Sequence, residues 1–238
     1  MSIQTQTLEY RDGTTALEAF VAFDDQRSGP RPVVLIGHQW GGRDDFVAGH
    51  ARRLAEAGYL GFALDMYGTG VRGNSIEENS ALMGPFMEDR MRVRSRVQAA
   101  LNTARGLPQA DATRVAIMGF CFGGLCALDL ARSGADIRGA ISFHGLLKPT
   151  GLTAQAIAAK VLVLHGADDP LAPIEDVVAL REELNAAGCD WQVHLYGGAK
   201  HAFAVPGTDV PDIGARHQPD AERRSLASAD AFLAEVLA

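Results

Sequence analysis

The chain has 238 residues, 47% of them hydrophobic, and a formal net charge of −7 from 22 Lys and Arg against 29 Asp and Glu. That length is ample for a sizeable core, and the composition excludes a disordered, collagen-like or coiled-coil chain. The acidic balance gives no support to a nucleic-acid partner, and no apolar stretch nears the roughly 20 residues a membrane span requires.

In chain order, residues 17–23 read as an edge strand and 24–32 as a charged turn. The uninterrupted apolar run 33–37 suits a strand covered on both faces. Residues 46–57 carry a helical stripe of Phe46, His50, Leu54 and Ala57, closed by Gly58. A strand follows at 60–64, then a stretch at 65–85 whose four glycines predict a long loop with at most a short helix. Residues 88–107 read as a long helix, with Met91, Ser95, Gln98, Leu101 and Arg105 on one side and Val93, Val97 and Ala100 near it. Pro108 ends it. Strands at 115–118, 138–143, 160–164 and 189–196 then alternate with helices at 123–132, 174–187 and 219–237. The last helix has its apolar stripe on Leu226, Ala229, Phe232, Leu233 and Leu237. This alternation predicts an α/β fold, a mostly parallel sheet with helices on both faces. No linker, repeat or compositional break divides it, so residues 1–238 are expected to form a single domain.

Three cysteines, Cys121, Cys126 and Cys189, are too few for a disulfide framework, and their odd number leaves at least one thiol. The N-terminus is polar, with no basic segment leading into an apolar core. A cytoplasmic protein is the expectation.

The sharpest local signal is Val115-Ala-Ile-Met-Gly119-Phe120-Cys121-Phe122-Gly123-Gly124, a strand, a sharp turn and a helix start. Gly119 and Gly123 have the spacing of a G-x-S-x-G nucleophile elbow, with Cys121 in place of the serine. Such a turn strains the nucleophile's backbone and needs small neighbours. The helix that starts at once directs its N–H groups and dipole at the sulfur, which favours thiolate. The competing reading is an ordinary buried cysteine whose glycines permit close helix–sheet packing. Cys126, on an apolar helix face, and Cys189, opening a strand, are read as structural. The glycine spacing does not match G-x-G-x-x-G, and no phosphate-binding G-x-x-x-x-G-K-[ST] occurs.

An acid and then a histidine should follow along the chain. After the strand at 160–164 come Asp168 and Asp169, either of which could serve; both could instead cap the next helix. After the following strand, His201 lies in a glycine-flanked loop beginning Gly197-Gly-Ala-Lys200. The seven histidines, His38, His50, His144, His165, His194, His201 and His217, include no H-x-H or H-E-x-x-H, and there is no C-x-x-C. No metal or other cofactor is expected. His38, His144 and His165 each follow an apolar strand and are read as packing or hydrogen-bonding beneath the site loops.

Taken together, G-F-C-F-G-G around Cys121, H-G-A-D-D-P-L-A-P from His165 and K-H-A-F around His201 resemble the dienelactone hydrolase family (carboxymethylenebutenolidases) of the α/β-hydrolase superfamily. Val33-Val-Leu-Ile-Gly-His38-Gln39-Trp40-Gly41 is similar to the family's first catalytic loop. Gly58-Tyr-Leu-Gly-Phe-Ala-Leu-Asp65-Met-Tyr67-Gly68 is similar to its next strand and loop. The resemblance implies an α/β-hydrolase fold with Cys121 as nucleophile, Asp169 as acid beside Asp168, and His201 as base. It also implies an oxyanion hole from the backbone N–H of Phe122 and of Trp40 or Gln39.

Two departures narrow the substrate. The family's Glu after the first strand, which interacts with the resting thiol, is replaced by the pair His38-Gln39. Gln cannot exchange a proton at neutral pH, and His38 is a candidate for part of that role. The family's Arg a few residues beyond the histidine, which binds a substrate carboxylate, has no match in His201-Ala-Phe203-Ala-Val205; Arg90 or Arg94 could match a second family arginine or be a plain solvated face. His38, Gln39, Trp40, Phe86, Arg90, Phe122, Phe143 and Phe203 are the pocket candidates, and a neutral or bulkier ester fits them. The expectation is an ester or lactone hydrolase working through a thioacyl enzyme, without cofactor, as a monomer or small homo-oligomer. The alternatives are a Cys-dependent thioesterase, peptidase or acyl transferase on the same scaffold, or a non-catalytic binding or scaffolding protein with an inert Cys121.

Overall fold

The computed structural model describes residues 2–152 and 155–238. The chain divides into two compact units, Met1–Ile117 and Met118–Ala238.

The first unit opens with β1 (Ile3–Asp12) and β2 (Thr15–Asp24), an antiparallel hairpin paired from Ile3–Asp24 to Asp12–Thr15. Gly13 takes φ 58° at the first position of the two-residue turn, as such turns demand. The strand expected at 17–23 is therefore interior, because β1 covers its outer side. Along β1 only Tyr10 is buried, so its polar sequence carries no strand pattern. β2 pairs antiparallel with β4 (Leu60–Ala63), and β4 lies parallel to β3 (Arg31–Gly37). Between β3 and β4 runs α1 (Asp45–Glu56), capped by Asp44, whose carboxylate accepts from Val47 N. Its buried face is Val47, Ala48, His50, Ala51, Leu54 and Ala55, so the stripe sits slightly to one side of Phe46. Gly61 lets β4 approach this helix: a Cβ there would lie 2.5 Å from Ala51 O.

The turn after β4 is pinned by Asp65. Its Oδ1 accepts from Tyr67 N (2.8 Å) and Gly68 N (3.0 Å), and its Oδ2 accepts from Glu18 N (3.1 Å). Tyr10 Oη donates to Asp65 O (2.9 Å) and accepts from Asp65 N (3.0 Å). Burial raises the Tyr10 pKa above its ordinary value. Replacing Asp65 with alanine strips these N–H groups of their partner, at ~1–3 kcal/mol for each buried orphan. Urea unfolding of Asp65→Ala is expected to show a loss of about 2 kcal/mol or more; an unchanged midpoint would refute the anchor.

The reading of 65–85 as mostly loop is corrected by α2 (Ile76–Glu88). Ser75 Oγ accepts from Glu78 N, and the Glu78 carboxylate reaches back to Asn74 N (2.7 Å), a variant of the capping box. Pro85 lies within this helix near its end. Asp89 then caps α3 (Arg90–Arg105), accepting from Met91 N and Arg92 N. The inner face of α3 is Val93, Val97, Ala100, Leu101 and Ala104, together with Arg90 and Arg96. Met91, placed by the sequence near that face, is 56% exposed. Two buried arginines disguised the periodicity.

β5 (Ala110–Phe120) is the strand in which the first unit ends and the second begins. The second unit continues through α4 (Phe122–Arg132), β6 (Gly139–Phe143), β7 (Lys160–Gly166), α5 (Ile174–Ala186) and β8 (Trp191–Tyr196). β6, β7 and β8 lie side by side and parallel. A two-residue pair, β9 (Asp209–Val210) and β10 (Ala215–Arg216), precedes α6 (Pro219–Val236). Arg132, at the end of α4, bonds Asp129, both carboxylate oxygens of Glu183 on α5, and the carbonyls of Leu147 and Lys148. It thereby ties the loop after β6 to two helices. Among the described residues no helix is long and apolar enough to cross a membrane.

Candidate active site

Cys121 stands between the last residue of β5 and the first of α4, with φ 55° and ψ −115°. A residue with a Cβ rarely adopts that conformation, and its neighbours must allow it. A Cβ on Gly119 would fall 2.0 Å from Gly123 O, and one on Gly124 would fall 2.8 Å from Gly145 Cα. Backbone bonds complete the elbow. Cys121 N donates to Phe143 O at the end of β6 (3.0 Å), and Cys121 O accepts from Gly124 N (2.9 Å) and Leu125 N (3.2 Å). No side chain caps α4, so the positive end of the helix dipole falls at the cysteine.

Asp169 follows β7 and is 4% exposed. Its Oδ1 accepts from Leu171 N (2.9 Å) and Ala172 N (3.2 Å), leaving Oδ2 for His201 Nδ1 at 2.8 Å. Asp168 is exposed, and its N–H donates to Ala199 O. Of the two acids left open by the residues alone, Asp169 is the one bonded to the histidine. The loops after β7 and β8 touch closely, since a Cβ on Gly166 would lie 2.5 Å from Ala199 O. His201 forms a bridge with Ala215, its carbonyl accepts from Arg216 N (2.8 Å), and Ala202 after it has φ 56°. The short β9–β10 pair that holds the histidine's backbone has no periodic pattern in the sequence, and the sequence reading missed it.

The His201 ring is buried, and its pKa is pushed up to about 10. Burial, the largest influence, pulls the other way. It is outweighed by the charge of Cys121, by the Asp169 hydrogen bond and by the contact with Cys121 itself. Among the described residues Nε2 makes no well-aligned hydrogen bond; catalytic hydrogen bonds often tighten only with substrate bound.

Other sequence candidates belong to this unit. Phe143 stacks on Phe120 (4.6 Å, 25°), and Phe203 meets His144 edge to face (5.3 Å, 81°). Both phenylalanines are fully buried, as is Phe122. His165 Nε2 is bonded to Ala172 O (2.8 Å), and burial lowers its pKa. Cys126 is buried, and burial followed by Asp190 pushes Cys189 up to about 11, so that thiol is not activated.

The remaining candidates belong to the first unit. His38 is fully buried, its Nε2 accepts from Met66 N (3.1 Å), and its Nδ1 lies 2.5 Å from Gln39 O. With Nε2 accepting, the proton sits on Nδ1. Burial holds the ring pKa below its ordinary value, and both nitrogens are engaged by backbone. Tyr67 Oη donates to Trp40 O (2.8 Å), and its ring touches His38 and Phe86. Tyr67 was not among the sequence candidates. Phe86 is buried under the Arg92 guanidinium, 4.5 Å from the ring centroid. Arg90 is 7% exposed, which rules out a solvated face for it. Among the described residues no group of His, Cys, Asp and Glu side chains is arranged to hold a metal ion.

Comparison with known proteins adds to this geometry. Residues 17–237 match the sequence profile of the Dienelactone hydrolase family. An uncharacterised Caenorhabditis elegans protein, K02A2.1, is 35% identical over 151 residues, 62% of this chain and 96% of its own. Two solved structures cover 100% of this chain and are themselves covered in full. One, m3DLH, has a TM-score of 0.95 at 36% identity. The other, a dienelactone hydrolase-like promiscuous phosphotriesterase, P91, from metagenomic libraries, has 0.93 at 34%. The fold is that of the α/β hydrolases, with a mostly parallel central β-sheet flanked by helices.

Proposed function

The chain belongs to the dienelactone hydrolase family of the α/β-hydrolase superfamily, and from that premise we propose that it hydrolyses a carboxylic ester or lactone with Cys121 as nucleophile. The observation that carries the proposal is the Asp169–His201 hydrogen bond (2.8 Å) in the same unit as a cysteine held at positive φ just before α4. The His201 pKa is pushed up to about 10, by Cys121 first among the groups that raise it. In this reading the ring holds the proton while Cys121 attacks as thiolate.

The thiolate attacks the carbonyl carbon, and the C=O π pair moves onto oxygen. The Phe122 N–H, at the start of α4, is the donor this unit offers to the oxyanion. The tetrahedral intermediate collapses, the carbon–oxygen bond to the leaving alcohol breaks, and the alkoxide takes the His201 proton. The neutral ring then removes a proton from water, the resulting hydroxide attacks the thioester, and thiolate departs with the acid product. For a lactone the alcohol stays tethered to the acyl group.

A second reading, phosphotriester hydrolysis at the same cysteine, is favoured by the full-length likeness to P91. One experiment covers both. The protein is mixed with an ester, a lactone, a thioester and a phosphotriester, quenched in acid and digested. Mass spectrometry should find an acyl group, or for the second reading a phosphoryl group, on the Cys121 peptide. Absence of adduct and turnover across the panel would overturn both readings and favour a binding protein.

A further inference from the structure

His144 takes no part in the steps above, yet it is held with unusual care. It follows β6 with φ 36°, a left-handed conformation that side-chain-bearing residues rarely adopt. Its own N–H donates to Leu164 O of β7 (2.8 Å), and the carbonyl just before it, Phe143 O, accepts from Cys121 N (3.0 Å). The turn that seats the cysteine also seats this histidine. The ring is fully buried, and neither nitrogen is hydrogen-bonded to another of the described residues.

Its neighbours are rings. His201 lies edge to face with it at 5.2 Å and 68°, Phe203 at 5.3 Å and 81°, and Phe120 at 6.0 Å. Phe203 leans in turn on Tyr196 of β8 (5.3 Å). A row therefore runs Tyr196, Phe203, His144, His201. The His201 ring itself has one well-formed hydrogen bond, from Nδ1 to Asp169. One bond fixes a point on a ring but lets the plane tilt about that point. A second contact elsewhere on the ring is needed to fix the plane, and His144 makes it.

We propose that His144 is a positioning residue: its ring, locked by the left-handed turn after β6, sets the plane of His201 so that Nε2 stays directed at the Cys121 sulfur. The groups that act on its charge are consistent with a passive, neutral ring. Burial first, then the neighbouring His201 and His165, hold its pKa well below the ordinary value, so it does not compete for the proton.

The proposal rests on the Cys121–His201 reading, and its test separates the two. His144→Leu fills the space without a ring; His144→Phe restores the ring without nitrogens. Each is compared with wild type in hydrolysis of p-nitrophenyl butyrate and in iodoacetamide alkylation of Cys121 across pH. His144→Leu should lower kcat about 10- to 100-fold with KM nearly unchanged, and should weaken alkylation below neutral pH. His144→Phe should recover both to within about threefold, and should melt no lower than wild type because two buried nitrogens lose no partner. A leucine variant as active as wild type, or a phenylalanine variant as impaired as leucine, would overturn the ring-contact role. If the leucine variant fails to fold, the His201 ring resonance in His144→Phe decides: a pKa held near the wild-type value supports the role, and a fall to the ordinary range overturns it. Wild-type Cys121 that alkylates no faster than Cys126 and Cys189 would sink the underlying reading instead.

Discussion

Replacing Cys121 with alanine is expected to lower ester hydrolysis by at least about 10⁴-fold while leaving the protein folded. The elbow does not depend on sulfur. Its backbone bonds to Phe143, Gly124 and Leu125 remain, and the bare Cα positions of Gly119 and Gly124 still admit the close approaches. What disappears is the only atom able to form the thioacyl bond in this mechanism. A second signature accompanies the loss. The charge of Cys121 is the first of the influences that raise His201, so its removal leaves only Asp169, through its hydrogen bond and its charge, against burial. The ring pKa should therefore fall from about 10, as followed by the NMR titration of its carbon-bound protons. Full activity in the alanine variant would remove the nucleophile. An unmoved His201 titration would mean the two side chains are not coupled, even if activity fell.

The elbow was legible because its constraints are local. Gly119, Cys121 and Gly123 lie within one turn, and a Cβ 2.0 Å from a carbonyl oxygen is a demand that any sequence forming this turn must meet. The order of cysteine, acid and histidine is readable for a similar reason, since each follows a strand, β5, β7 and β8 in turn. The choice between Asp168 and Asp169 was left open by the residues and chosen only through the family resemblance, because it depends on which carboxylate turns inward. The contact of His144 with His201 joins two loops, and no spacing announces it. Other misses trace to masked patterns. β1 is an exposed strand with one buried side chain, α2 begins in a glycine-rich stretch and contains Pro85, and α3 buries Arg90 and Arg96 on its inner face. In each case burial was decided by tertiary packing that the hydrophobic period does not record.

Asp169→Asn is expected to cost about 10³- to 10⁴-fold in kcat, through the tautomer of His201 rather than through lost packing. The asparagine fits, but its two ends are no longer alike. Leu171 N and Ala172 N both donate to one oxygen of Asp169, so the amide oxygen must stay there to satisfy them. That turns the amide NH₂ toward His201 Nδ1, where two donors would meet. The ring responds by moving its proton to Nε2, the nitrogen required to exchange protons with sulfur, water and leaving group. Loss of the carboxylate also removes part of what raises the ring's pKa, so it falls from about 10. The protonated ring is the form that protonates the leaving alkoxide. Activity on an alkyl ester is therefore present below the ring's pKa and lost as pH rises through it. The alkaline limb of kcat/KM, near pH 10 in wild type, should move to lower pH in the variant. A p-nitrophenyl ester, whose leaving group needs no proton, should show a smaller effect. Asp168→Asn is the matched control: its side chain is exposed and outside this network, so rate and pH profile should stay near wild type. Equal losses in the two variants, or an alkaline limb that Asp169→Asn leaves in place, would show that Asp169 does not govern the protonation of His201.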